Sequence, residues 1–185
     1  FVAGHDRGGR VAHRMARDFR KKILAISVLD ICPTLDMYES TNQKFAKSYF
    51  HWFFLIQPAW LPERMILANP RKWMKNCLDK WSGNHKFGIV EETYLKSFKQ
   101  KKRIHASCED YRASPTCDLD MDEYDFIANN KIECPLLVLW GDKSHTETTD
   151  GNVLKTWKNY CNNSILGSKI NSGHYVQEEN PVDTL

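Results

Sequence analysis

The sequence predicts an α/β fold in which a mostly parallel sheet is interrupted by a long helical insertion. Three observations carry this reading. Short apolar runs with little alternation recur near both ends of the chain, as expected of strands buried on both faces of a parallel sheet. Helical patterns separate these runs, which favours a doubly wound arrangement. Between Pro33 and about Lys131 the strand signal vanishes and aromatic residues take up helical spacing. The expected organisation is a sheet core made of residues 1–32 and 132–185, with residues 33–131 forming a helical cap over the carboxyl edge of the strands.

Phe1 to Gly4 reads as the end of a strand, and the chain turns sharply at His5-Asp6-Arg7-Gly8-Gly9-Arg10 into a helix reaching about Phe19. Lys22 to Asp30 is the second strand, closed by Cys32-Pro33. In the insertion, Phe45, Tyr49, Trp52, Phe53 and Ile56 share a helical spacing that Pro58, Pro62 and Pro70 break. Cys134 to Asp142, opened by Pro135 and closed at Gly141, is the third strand. A helix over Val153 to Tyr160 leads to a weaker fourth strand, Ser164 to Ile170.

Composition narrows the function classes. The 185 residues are 42% hydrophobic and 26% charged, an ordinary globular balance. The net charge of +3 includes no long basic block, which argues against nucleic acid as a partner. Six scattered cysteines without a CxxC pair or metal-ligand spacing read as thiols of a reducing cytoplasm, with no metal site. No apolar run is long enough to span a bilayer, so a soluble protein without a membrane partner is expected. Because the chain opens at Phe1, just before its main motif, a fragment is expected.

Gly4-His5-Asp6-Arg7-Gly8 has the G-x-nucleophile-x-G form of a strand-to-helix elbow, its flanking glycines permitting a turn too tight for a side chain. Aspartate stands where serine is usual. A carboxylate is already ionised, attacks carbon by displacement and becomes an ester, which water and a base must then cleave. Arg7, Arg10 and the helix N-terminus favour the charged form of Asp6. His174, on the loop after the last strand, is the candidate base. Asp30, at the end of the second strand, is the better candidate for the acid that orients it, with Asp142 and Glu147 as fallbacks. Arg7 and Arg10 share a helix face beside the nucleophile although cations there oppose the helix dipole, which points to a clamp on a carboxylate.

The run Gly4 to Ala16 resembles the elbow of the haloacetate (fluoroacetate) dehalogenases of the α/β-hydrolase superfamily. So do Leu29-Asp30-Ile31-Cys32-Pro33-Thr34, His51-Trp52-Phe53-Phe54-Leu55-Ile56-Gln57-Pro58 and Cys108-Glu109-Asp110-Tyr111-Arg112-Ala113. The resemblance implies an α/β-hydrolase fold, here partial, and hydrolysis of haloacetates without a cofactor. It implies Asp6 as nucleophile, Asp30 as acid and His174 as base, with Arg7 and Arg10 on the substrate carboxylate. It further implies His51, Trp52 and Tyr111 as donors to the leaving halide, with Trp81 shaping the pocket; by themselves, these residues read as an aromatic stripe and a helix surface. A homodimer is compatible with it. The competing readings are an epoxide hydrolase, whose lid tyrosines would come from Tyr38, Tyr49, Tyr94, Tyr111 or Tyr124, a non-catalytic binding protein on the same scaffold, and an inactive truncated hydrolase with an exposed sheet edge.

Overall fold

The computed structural model describes residues 1–83, 86–150 and 152–185, except for the side chains of residues 89 and 148–150. Four strands, β1 (Val2–His5), β2 (Ile26–Leu29), β3 (Leu136–Gly141) and β4 (Ile165–Ile170), form one parallel sheet in the order β1-β2-β3-β4. Each connection contains helix. Helix α1 (Arg7–Asp18) joins β1 to β2 and packs on both. Its buried positions, Gly9, Ala12, His13, Ala16 and Arg17, follow the i, i+3, i+4, i+7 spacing of a core-facing stripe. The stripe includes two charged or polar residues because partners meet them: His13 stands edge-on to Trp157 at 5.2 Å, and Arg17 pairs with Asp122 at 2.9 Å.

Between β2 and β3 come only helices among the described residues: α2 (Thr34–Glu39), α3 (Gln43–Ser48), α4 (Phe50–Leu55), α5 (Leu61–Ala68), α6 (Pro70–Trp81), α7 (Ile89–Phe98), α8 (Lys101–Ala113) and α9 (Leu119–Ile127). A π-turn at Ser114–Asp118 links the last two. Helices α10 (His145–Asp150) and α11 (Val153–Lys158) lead to β4, after which α12 (Val176–Glu179) and α13 (Pro181–Thr184) follow. One buried cluster runs from Val28 and Val138 in the sheet, through Trp157, to Phe45, Trp52 and Ile104 of the inserted helices.

Two details depart from the sequence reading. The second strand begins at Ile26 rather than Lys22, because the N–H groups of Lys22 and Ile23 both bond Phe19 O and close the turn after α1. One face of the sheet is covered throughout, the other only at its carboxyl end, where Leu139, Ile170 and Val176 form a small buried cluster with Leu29. Ile26, Val28, Leu136 and Val138 are buried, whereas Leu137 is 38% and Leu166 70% exposed on the other face. Among the described residues, no helix is long and apolar enough to cross a membrane.

Candidate active site

Asp6 stands between β1 and α1 with φ 49° and ψ −122°, a conformation that L-residues rarely adopt. Backbone bonds hold it there: its N–H donates to Leu29 O at 3.2 Å, and its carbonyl accepts from Gly9 N at 2.9 Å. A Cβ on Gly4 would lie 2.2 Å from Gly8 O, and one on Gly9 would lie 2.9 Å from Gly4 O. The turn is therefore closed by Gly4 and Gly9. Gly8, the expected second glycine, faces open space, so its missing side chain is not what the turn requires.

Asp30 follows β2, next to β1 in the sheet, so the two carboxylates emerge at neighbouring strand ends. It too has positive φ, 51°, fixed by its N–H to Leu139 O at 2.7 Å. Its buried carboxylate accepts from Gly141 N at 3.0 Å through Oδ1, and Oδ2 meets His174 Nδ1 at 2.6 Å. The other ring nitrogen of His174, Nε2, is 3.8 Å from Asp6 Oδ2. The two alternative acids stand elsewhere. Asp142 accepts from Ser172 N at 3.1 Å, and Glu147 binds Trp140 Nε1 at 2.6 Å and Lys169 Nζ at 2.5 Å.

Burial lowers the proton affinity of His174, but the hydrogen bond to Asp30 and the facing charges of Asp30 and Asp6 outweigh it and lift the pKa to about 10. Burial raises the pKa of Asp6, and the facing His174, with His5 and Arg10, outweighs it and holds the carboxyl well below the usual range.

Asp6, Asp30 and His174 line a cavity of about 220 Å³ that also receives Arg10, His51, Trp52 and Trp81. Arg10 Nη1 donates to Cys32 O at 3.0 Å and Thr34 Oγ1 at 2.9 Å, and its guanidinium lies 4.8 Å from the Trp52 ring centroid. Its Nε is buried without a hydrogen-bond partner. The same holds for Nδ1 of His51 and Nε1 of Trp81, whose rings are 4.5 Å apart. Burial presses the His51 pKa down to about 3, so its ring is neutral near pH 7.

The remaining expected residues fall outside the cavity lining. Arg7 donates from Nε to Asp110 Oδ2 at 2.5 Å, from Nη1 to Ser114 Oγ at 2.5 Å and from Nη2 to Asp110 O at 2.7 Å. The two arginines thus point to different partners, since Asp110 and Ser114 satisfy Arg7 where α8 meets the π-turn. Tyr111 packs behind the cavity, 5.7 Å from the His51 ring and under the Arg7 guanidinium at 5.1 Å. Of the lid tyrosines named for an epoxide hydrolase, Tyr49 lines the cavity, and the sequence reading missed Lys80 and the segment Lys143 to Thr146, which also line it. The position of that segment, at the carboxyl end of a parallel strand, was the available signal. Glu63, His105 and Glu109, whose side chains could meet on a metal ion, lie apart from the cavity, and there Arg112 already donates to both Glu63 oxygens, at 2.8 and 3.1 Å.

The chain is 36% identical to a fluoroacetate dehalogenase of Burkholderia sp., over 99% of its own length and 60% of that protein's. It is 26% identical to a soluble epoxide hydrolase of Corynebacterium sp. (strain C12), over 99% of its length and 64% of the other. A crystal structure provisionally described as an α/β hydrolase from Nostoc sp. PCC 7120 superposes with a TM-score of 0.92 at 45% identity, covering 100% of this chain and 62% of that one. The chain therefore spans somewhat under two thirds of the length of these relatives. The family model of the alpha/beta hydrolase fold matches residues 1–181, and with the parallel sheet and its interposed helices this makes the chain a member of the α/β-hydrolase family.

Proposed function

We propose that this chain carries the chemistry of a hydrolytic haloacetate dehalogenase. Asp6 attacks the α-carbon, the carbon–halogen bond breaks, and the halide leaves with its electron pair. His174 then takes a proton from water, and the hydroxide attacks the ester carbonyl. The carboxyl–glycolyl C–O bond breaks with a proton passing to the departing glycolate, and the remaining proton leaves to solvent, which restores the Asp6 carboxylate and a neutral His174. Asp30 holds the imidazole in place and balances its charge. Forming the ester removes the charge of Asp6, so His174 loses one of the two carboxylates that raise its proton affinity just when it has to act as a base. The inserted helices 33–131 serve as the lid.

The observation that carries this reading is the character of the cavity. A carboxylate nucleophile shares it with a half-buried Arg10 whose buried Nε has no partner, and with the unpartnered nitrogens of neutral His51 and of Trp81. Such groups suit an anionic substrate and a leaving anion, because N–H donors fixed in a dry site stabilise charge that appears as the bond breaks. Arg10 takes the substrate carboxylate, and Arg7 reaches it only by leaving Asp110. Trp52 and Tyr111 complete the halide surroundings. An epoxide hydrolase is the second reading, favoured by Tyr49 in the same cavity as a donor to an epoxide oxygen.

Halide release from fluoroacetate and chloroacetate by the protein carrying this chain, beside its Asp6→Asn variant and a simple epoxide, separates the readings. Release that falls by at least about a thousandfold in the variant is expected. Opening of the epoxide with haloacetates untouched would establish the second reading.

A further inference from the structure

We infer that Glu179 is a positioning residue for His174: its carboxylate fixes the loop that carries the base against the end of α6. The inference rests on the role proposed above for His174.

Glu179 is the last residue of α12 and half-buried. Its Oε2 accepts from Gly173 N at 2.8 Å and from Gly83 N at 2.7 Å, and its Oε1 accepts from Tyr175 N at 3.0 Å. The residues on both sides of His174 are thus bonded to one carboxylate. His174 itself donates its N–H to Trp81 O at 2.8 Å, and His5 Nε2 bonds its carbonyl at 2.8 Å. Three consecutive residues of the loop are pinned through their backbone, and two of the three N–H groups end on Glu179.

The Gly83 bond joins segments 96 residues apart in the chain. The backbones meet there without side chains: a Cβ on Gly173 would lie 2.3 Å from Gly83 N and 2.5 Å from Trp81 O. Two N–H dipoles converging on one point repel each other, and a carboxylate oxygen between them turns this repulsion into attraction. Glu179 therefore ties the base loop to the segment Trp81 to Gly83, whose Trp81 lines the cavity.

His174 has to meet two carboxylates at once, at 2.6 Å from Asp30 and 3.8 Å from Asp6, and a small tilt of its loop spoils one of them. The displacement step uses no base, whereas ester hydrolysis does. Loss of Glu179 is therefore felt in the second step.

The test compares Glu179→Ala and Glu179→Gln with the unaltered protein, using chloroacetate. Glutamine keeps one acceptor oxygen, which can serve the converging Gly83 and Gly173 N–H groups, so it is expected to rescue partially. The expected result for Glu179→Ala is an unchanged first turnover of chloride, a steady-state kcat lower by on the order of 10- to 100-fold, and an ester on Asp6 detected by mass spectrometry. The low-field NMR signal of the His174 proton facing Asp30 is expected to shift or broaden. Equal slowing of both steps, or an unchanged kcat with an unchanged signal, would overturn the inference. If the unaltered protein releases no halide, the activity reading fails on its own, and the NMR signal still decides the role of Glu179. If the alanine variant does not fold, the glutamine variant carries the same comparison.

Discussion

At the scale of single residues, His174 and His51, which share the cavity, make opposite demands on pH. His174, with its pKa raised from 6.5 to about 10, contributes stability that is complete below about pH 6.5 and is lost as the pH rises towards 10. His51, lowered from 6.5 to about 3, and His13, lowered well below 6.5, bind protons more readily in the unfolded chain, so they weaken the fold as the pH falls below 6.5. Chemical denaturation across this range is expected to show His174→Asn removing the alkaline loss and His51→Asn reducing the acid one. The two arginines differ in the same way. Arg10→Gln is expected to raise KM for haloacetates by about 10- to 100-fold, as for a lost charge-assisted hydrogen bond. Arg7→Gln is expected to act mainly on the denaturation midpoint, because Asp110 and Ser114 hold its guanidinium. The types and positions of Asp6, Asp30 and His174 were readable because each sits at a strand end that the apolar pattern marks. The bond of Arg7 to Asp110, 103 residues away, left no local trace in the sequence.

At the scale of elements, the elbow distinguishes two glycines that look alike in the motif. Gly4→Ala would set a Cβ 2.2 Å from backbone and is expected to prevent folding or displace Asp6. Gly8→Ala meets nothing within 4 Å and lies in the first turn of α1, so a gain of roughly 0.5–1 kcal/mol is expected, read from thermal denaturation. The strands and α1 were legible because their signals are local: apolar runs, a proline opening β3, and turn residues. The boundary of β2 was not, since it depends on which N–H groups Phe19 O captures. The inserted helices were legible as helices, yet not the direction in which each aromatic points. His51 and Trp81 face the cavity while Tyr111 stands behind it, and that is fixed by packing between α4, α6 and α8.

At the scale of the whole molecule, one face of the sheet is open along Leu137 and Leu166, 38% and 70% exposed, and closed by Leu139, Ile170 and Val176 only at its carboxyl end. The 185-residue chain is therefore expected to bind a hydrophobic dye, and Leu166→Lys to lower that binding with a change in stability within about 0.5 kcal/mol. The apolar strands had suggested burial on both faces, because hydrophobicity records where a residue is suited to be and not what stands against it. By itself the sequence determined the α/β class, the parallel connections and the placing of Asp6, Asp30 and His174 at successive strand ends, all of which follow from local patterns repeated along the chain. Only the tertiary structure decided that Asp30 rather than Asp142 or Glu147 meets His174, that Arg10 faces the cavity while Arg7 is held by α8 and the π-turn, and that Glu179 joins the His174 loop to the end of α6. Those choices turn on distances of a few ångströms between segments far apart in sequence, and contacts of that kind are set by packing.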